Sequence, residues 1–230
     1  MSKKADLVTG YFPNIYLSVT SLLQGIALSQ LVPMILIYLR VVPDPWRDIH
    51  LLPLALMMLI IFTVWHHYAI SIFFLRWFPN IIDTLVPFLI GIGQFVLLSY
   101  INIETNVAEI QLEPWTMGYA GFLIAGSFAY ISASMRLEAA LFDNIMSKEA
   151  TLVHARLTRK YYLLSGYSIL GQGLFALLIG IMHWPYLLWV SLGLLITHLI
   201  LFEYFLLHSI KPHYIKAMDE YEAELDKSNN

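Results

Sequence analysis

Residues 51–102 read LLPLALMMLIIFTVWHHYAISIFFLRWFPNIIDTLVPFLIGIGQFVLLSYIN. Two long apolar runs flank the break Arg76-Trp77-Phe78-Pro79-Asn80. A bilayer core about 30 Å thick needs about 20 mostly apolar residues in helix. Each run is that long, and neither alternates as a barrel strand does. Pro79 lacks an N–H and crowds the preceding turn, so the first helix ends before it. So short a connection forces antiparallel neighbours. The stretch reads as a helical hairpin set in a membrane.

Working outward on the same scale gives six spans, at 14–39, 51–75, 81–102, 115–136, 161–182 and 185–209. Spans 5 and 6 turn at His183-Trp184-Pro185 and form a second hairpin. The fold class is therefore all-α: a polytopic membrane protein built as a six-transmembrane-helix bundle. Residues 1–210 make the spanning domain and 211–230 a short acidic tail carrying Asp219, Glu220, Glu222, Glu224 and Asp226. Composition agrees. Of 230 residues, 59% are hydrophobic and 13% are charged, against roughly 25% charged in a soluble domain. This excludes a disordered chain, a basic nucleic-acid-binding domain and an ordinary soluble enzyme. With no cysteine, disulfides, thiol catalysis and Cys-ligated metal centres are excluded too.

Basic residues orient the spans, because cytoplasmic loops carry the excess of Lys and Arg. With the N-terminus inside, eleven of the thirteen basic residues fall on the inner side, leaving Arg40 and Arg47 outside. The outer loop 103–113 holds Glu104, Glu109 and Glu113 and no basic residue. Both termini are thus expected in the cytoplasm, in a membrane of bacterial inner-membrane type. Trp46, Trp115 and Trp184 fall at outer ends and Trp77 at an inner end, where indoles favour the headgroup depth. Lys3 and Lys4 precede a span-length apolar run without a small-residue cleavage site, so the first helix is expected to stay as an anchor. Residues 137–160 read as a helical extension of span 4.

Function in such a chain is sought among groups that are expensive to bury in hydrocarbon. In span 1, Ser18, Thr20, Ser21, Gln24, Gly25, Ala27 and Ser29 occupy about half of a helical wheel, opposite Val19, Leu22, Leu23 and Ile26. Such a face suits a tight helix seam or a wet path. Gln24, Gln94 and Gln172 recur near mid-span in the odd spans. His66, His67 and His198 lie near the middle of spans 2 and 6. A Gln followed by a His in the next span occurs in 1–2 and in 5–6, as in a decayed hairpin repeat. Glu203 is the deep carboxylate, with Arg76 and Arg136 as its expected neighbours. Span 4 is rich in Gly, Ala and Ser, which lets backbones approach.

Three chemistries compete at the histidines: core hydrogen bonding, a proton or ion relay, and a bis-histidine haem b on His67 and His198. No phosphate-binding loop, zinc-protease motif or nucleophile elbow is present. Trp65-His66-His67 ahead of a tight turn resembles one region of a six-helix potassium-channel family. That family's first-helix Phe-Ser-Asp signature is absent here, and no residue is carried over from it.

These readings set the expectations. The leading one is a non-enzymatic channel, pore or transport-related subunit, oligomeric. Its polar core would comprise Ser18, Thr20, Ser21, Gln24, His66, His67, Gln94, Gln172, His198 and Glu203. No metal and no resident cofactor are expected, with haem b as the alternative. Membrane lipids are the expected partners, together with a cytosolic protein at 137–160 or 211–230, and nucleic acid is not. The alternatives are an anchor subunit of a larger complex and a haem-binding or lipid-modifying enzyme.

Overall fold

The computed structural model describes residues 3–74, 81–104, 107–137 and 148–229. Helices α1 (Lys3–Val41), α2 (Leu51–Phe74), α3 (Ile81–Ser99), α4 (Leu112–Arg136), α5 (Lys148–Met182), α6 (Leu188–Phe205) and α7 (Lys211–Asn229) follow one another. A short 3₁₀ turn, Pro185–Leu187, leads into α6, and a π turn, Leu206–Ile210, joins α6 to α7. By length and composition, four helical stretches among the described residues are long and apolar enough to cross a membrane: Leu17–Val41, Leu51–Ser71, Glu149–Met182 and Pro185–Tyr221. The apolar part of α3, Leu85–Ser99, is shorter. In α4 the many Gly, Ala and Ser residues dilute an otherwise span-length helix.

Several boundaries differ from the sequence reading. α5 begins at Lys148, so residues 148–160 extend span 5 and not span 4. α4 stops at Arg136 because Leu137 turns extended, with φ −66° and ψ 113°. Residues 138–147 lie outside the described residues. The loop between α3 and α4 contains a β-hairpin, β1 (Ile101–Glu104) and β2 (Val107–Ile110), antiparallel with Ile101 opposite Ile110 and Asn102 opposite Glu109. Ile101, Ile103 and Ile110 are buried while Asn102 and Glu109 face out, the period of two of a half-covered strand. The apolar end of span 3 runs straight into β1 and masked that change of period. Trp115 is fully buried and stacks on Tyr119 at 5.2 Å, so it belongs to the core and not to an interfacial belt. Trp46 and Trp184 are exposed. Trp77 lies outside the described residues.

Burial follows helical spacing. α1 buries Thr20, Gln24, Ala27, Leu31 and Tyr38, a stripe one helical face wide, against α2 and α3. The main core gathers around Leu52, Leu56, Met57, Leu97, Tyr119 and Leu195. A second cluster, Ile70, Tyr161, Tyr162, Leu206 and Ile210, lies toward the opposite end. α4 and α5 pack most extensively. The close approach comes from α5: Gly166, Gly173 and Gly180 recur every seven residues. A Cβ at Gly173 would meet Ile124 Cγ1 at 2.8 Å and the Ile124 backbone nitrogen at 3.0 Å. Small residues allow such contact between membrane helices.

The two tight corners close locally. His183 takes φ 54°, and Trp184 N–H and His183 N–H reach back to the carbonyls of Ile179 and Gly180, the Schellman pattern that ends a helix. At the α1–α2 corner the Asp48 carboxylate accepts from the His50 N–H at 3.0 Å and pairs with its ring at 2.7 Å. Burial pushes the Asp48 carboxyl up, but the bonds from the His50 backbone and ring outweigh it and hold the group below its ordinary value. A lowered folded-state value stabilises the fold above the unfolded-chain value, about 3.9, and that contribution is lost as pH falls through the lower folded value. Unfolding midpoints measured from about pH 3 to pH 7 should therefore fall at the acid end. Asp48→Asn should flatten that fall and cost on the order of 1 kcal/mol at neutral pH.

Candidate functional site: an intramembrane polar cluster and its cavity

Three consecutive residues of α2 point in three directions, since successive helical residues are turned by about 100°. Trp65 Nε1–H donates to Ser21 Oγ on α1 at 3.2 Å. His66 Nε2 pairs with Glu203 Oε2 on α6 at 2.8 Å. His67 Nδ1 bonds the Tyr130 hydroxyl on α4. One turn later, Ser71 donates to the His67 carbonyl at 2.6 Å and also bonds the Tyr162 hydroxyl on α5. α2 is thereby pinned to four neighbours by polar contacts.

The residues singled out from sequence fall into two groups. Gln94 Nε2 donates to Gln24 Oε1 at 2.8 Å, joining α3 to α1, and both side chains are buried. Thr20 is buried one turn from Gln24. Ser18, by contrast, is exposed, so the small polar face of span 1 divides between a buried stripe and the outer surface. In the second group, the His67 and His198 rings lie 5.7 Å apart. His198 Nδ1 bonds Ser168 Oγ at 3.0 Å, and the Gln172 amide reaches the same serine at 3.4 Å. Gln172 thus sits with His198, whereas Gln24 pairs with a glutamine of α3, so the two halves of the suspected repeat are not equivalent. Arg76, expected beside Glu203, lies outside the described residues, as does the side chain of Arg136. Among the described residues the carboxylate's partner is His66.

Tyr130, Tyr162, Ser71 and Ser168 complete the cluster. Ser168 could have been found as the residue one turn before Gln172 on the same face of α5. Tyr162 carried no such signal, because an aromatic in an apolar helix reads equally well as packing.

Beside the second group lies a cavity of about 130 Å³ between α2, α3 and α4, backed by α5 and α6. Its walls are mostly apolar, among them Ile60, Val86, Ile90, Phe122 and Leu195, and Thr63, His67, Ser71, Tyr130 and Tyr162 also line it. A Cβ added at Gly126, in its wall, meets no atom within 4 Å. Three buried polar atoms of the α5–α6 seam, Ser165 Oγ, Gln172 Oε1 and His198 Nε2, have no hydrogen-bond partner among the described residues. Polar atoms held this way in hydrocarbon are costly, and they mark sites of function more often than of packing.

The histidines do not fit a haem. Their rings pack directly toward each other, with Phe202 4.4 Å from His198 and Tyr130 5.3 Å from His67. A macrocycle needs a flat slot between its axial ligands, and this packing gives none. Among the described residues no three His, Asp or Glu side chains group to hold a metal ion.

The Gln24–Gln94 bond can be tested apart from any activity. Gln24→Leu should cost about 1 kcal/mol, because it strands the buried Gln94 amide. The double change Gln24→Leu with Gln94→Leu should recover most of that loss. Unfolding in mixed micelles reads both, and a double variant that loses as much stability as the two single ones added together, or more, would contradict the pairing.

No family model, no curated protein and no solved structure matches this chain.

Proposed function

We propose that this is a transport-related integral membrane protein of bacterial inner-membrane type that crosses the bilayer six times with both termini in the cytoplasm. Its working site is the cavity between α2, α3 and α4. One observation carries the reading: a lined space of about 130 Å³ next to an intramembrane His–Tyr–Ser cluster. A packed structural bundle gains nothing from such a space, since each unfilled volume forfeits packing energy. Ligand sites, in contrast, are concave, mostly apolar and furnished with a few polar groups that fix orientation.

The topology rests on the charge bias together with the placement of the corners. The Glu113–His183 pair, 3.5 Å apart, brings the start of α4 and the α5–α6 turn to one end. His213 and the Ala150 carbonyl bring the start of α5 and α7 together at the other. A second reading, an anchor subunit of a larger assembly, draws on the same feature: the first turns of α5 and the acidic α7 form a polar helical pair that a cytosolic partner could recognise.

Single cysteines test the topology. One at Glu109 should react with a membrane-impermeant maleimide added outside intact cells, and one at Lys216 should not. The reverse pattern overturns the orientation. For the function, the protein in liposomes should accelerate at least one of proton, potassium, sodium or chloride flux, or the trans-bilayer movement of a labelled lipid. Gly126→Leu, which fills the cavity without a clash at Cβ, should lower that rate roughly tenfold or more, the factor that about 1.4 kcal/mol of lost binding produces. Unchanged flux in a well-folded Gly126→Leu protein removes the cavity from the function. No acceleration of any probe puts the anchor reading first.

A further inference from the structure

We propose that the cavity receives the uncharged, hydrogen-bond-donating head of a lipophile: an alcohol or phenol about the size of one six-membered ring. This rests on the reading of the cavity as the working site and names the chemistry it selects.

Size comes first. A dry cavity of about 150 Å³ accommodates benzene, and the space here is about 130 Å³. The buried part of the guest is therefore a ring or a comparably small branched group, and any longer chain must lie outside.

Charge comes next. Among the described residues that line the cavity there is no Lys, Arg, Asp or Glu. A carboxylate, phosphate, sulfonate or ammonium would enter without a counter-charge, and an unpaired ion in an apolar site is strongly disfavoured. The guest is neutral.

The hydrogen inventory then selects between donor and acceptor. A hydroxyl has one proton and two lone pairs. Ser71 spends its proton on the His67 carbonyl, so in its contact with Tyr162 the tyrosine is the donor. Tyr162 then has its proton committed and its oxygen able to accept. Thr63 likewise donates to the Leu59 carbonyl at 2.7 Å and keeps an accepting oxygen. Tyr130 and His67 hold two protons between them and use one in their bond, so the pair keeps one to donate. Among these wall residues Tyr162 and Thr63 thus offer accepting oxygens, and the His67–Tyr130 pair one remaining proton. A ketone, ether or ester head could take that proton but would leave the accepting oxygens of Tyr162 and Thr63 without one, whereas a hydroxyl can both accept and donate. A hydroxyl head brings the missing proton.

The test uses purified protein in nanodiscs and three probes of one skeleton: 4-propylphenol, its methyl ether 4-propylanisole, and 4-propylbenzenesulfonate. Binding is read from the concentration dependence of the thermal midpoint. The phenol is expected to bind about tenfold more tightly than the ether, the worth of one buried hydrogen bond. This preference runs against simple partitioning, because the ether is the more lipophilic of the two. The sulfonate is expected not to stabilise the protein. Gly126→Leu should abolish binding of both neutral probes. Tyr162→Phe and Thr63→Val, which remove an acceptor from different helices, should each shrink the preference for the phenol and leave the affinity for the ether in place. Equal binding of phenol and ether that Gly126→Leu abolishes overturns the donor class but leaves the cavity as a working site. Tighter binding of the sulfonate overturns the neutral class. Absence of any binding sensitive to Gly126→Leu overturns both this proposal and the cavity as the working site.

Discussion

A polar side chain held between apolar helices has no water to bond, so its partner must come from another helix, and that requirement organises this protein. The segment Trp65–Ser71 meets it four times. Within two turns it reaches α1 through Ser21, α6 through Glu203, α4 through Tyr130 and α5 through Tyr162. α2 is consequently the hub of the bundle. Each bond is worth only about 1 kcal/mol on its own. Their joint effect is directional, because a rotation of α2 by one residue would break all four and leave their groups unmatched.

Packing supplies what the polar bonds leave open. Three glycines of α5 bring it so close to α4 that a side chain at Gly173 would strike backbone. α3 leans on α1 and α4 and touches α2 only lightly. The Gln24–Gln94 bond holds α3 on its α1 side. The cavity occupies the resulting gap, with the His67–Tyr130 and Ser71–Tyr162 pairs among its lining. The same contacts that fix the helices therefore shape the space the proposed function uses, and they decide which of its polar atoms still accept a hydrogen bond.

The two ends of the bundle are built on different rules. At one end local backbone devices suffice: the Asp48–His50 turn, the left-handed His183 and the β-hairpin whose isoleucines cover the core. At the other end α6 continues through a π turn into α7, and α7 packs beside the start of α5, where His213 meets the Ala150 carbonyl. A π turn adds a residue to the helical repeat and shifts the faces that follow it. The face that α6 presents to the core is not carried straight on into the acidic segment.

The sequence by itself determined the helical, multi-pass character of the chain. Apolar length and the absence of alternation are local quantities, and hydrocarbon tolerates few other backbone arrangements. It also marked the costly groups, since a glutamine, histidine or glutamate in an apolar run stands out without any knowledge of its neighbours. Their partners were decided by tertiary structure alone. Gln24 and Gln94 are 70 positions apart and His66 and Glu203 are 137 apart, and no spacing rule links residues on different helices. Tyr162 escaped notice because its hydroxyl becomes a polar anchor only when Ser71 faces it. The hairpin at 101–110 was hidden by the apolar run before it, and the cavity belongs to no single segment: it exists because three helices pinned elsewhere fail to close on one another.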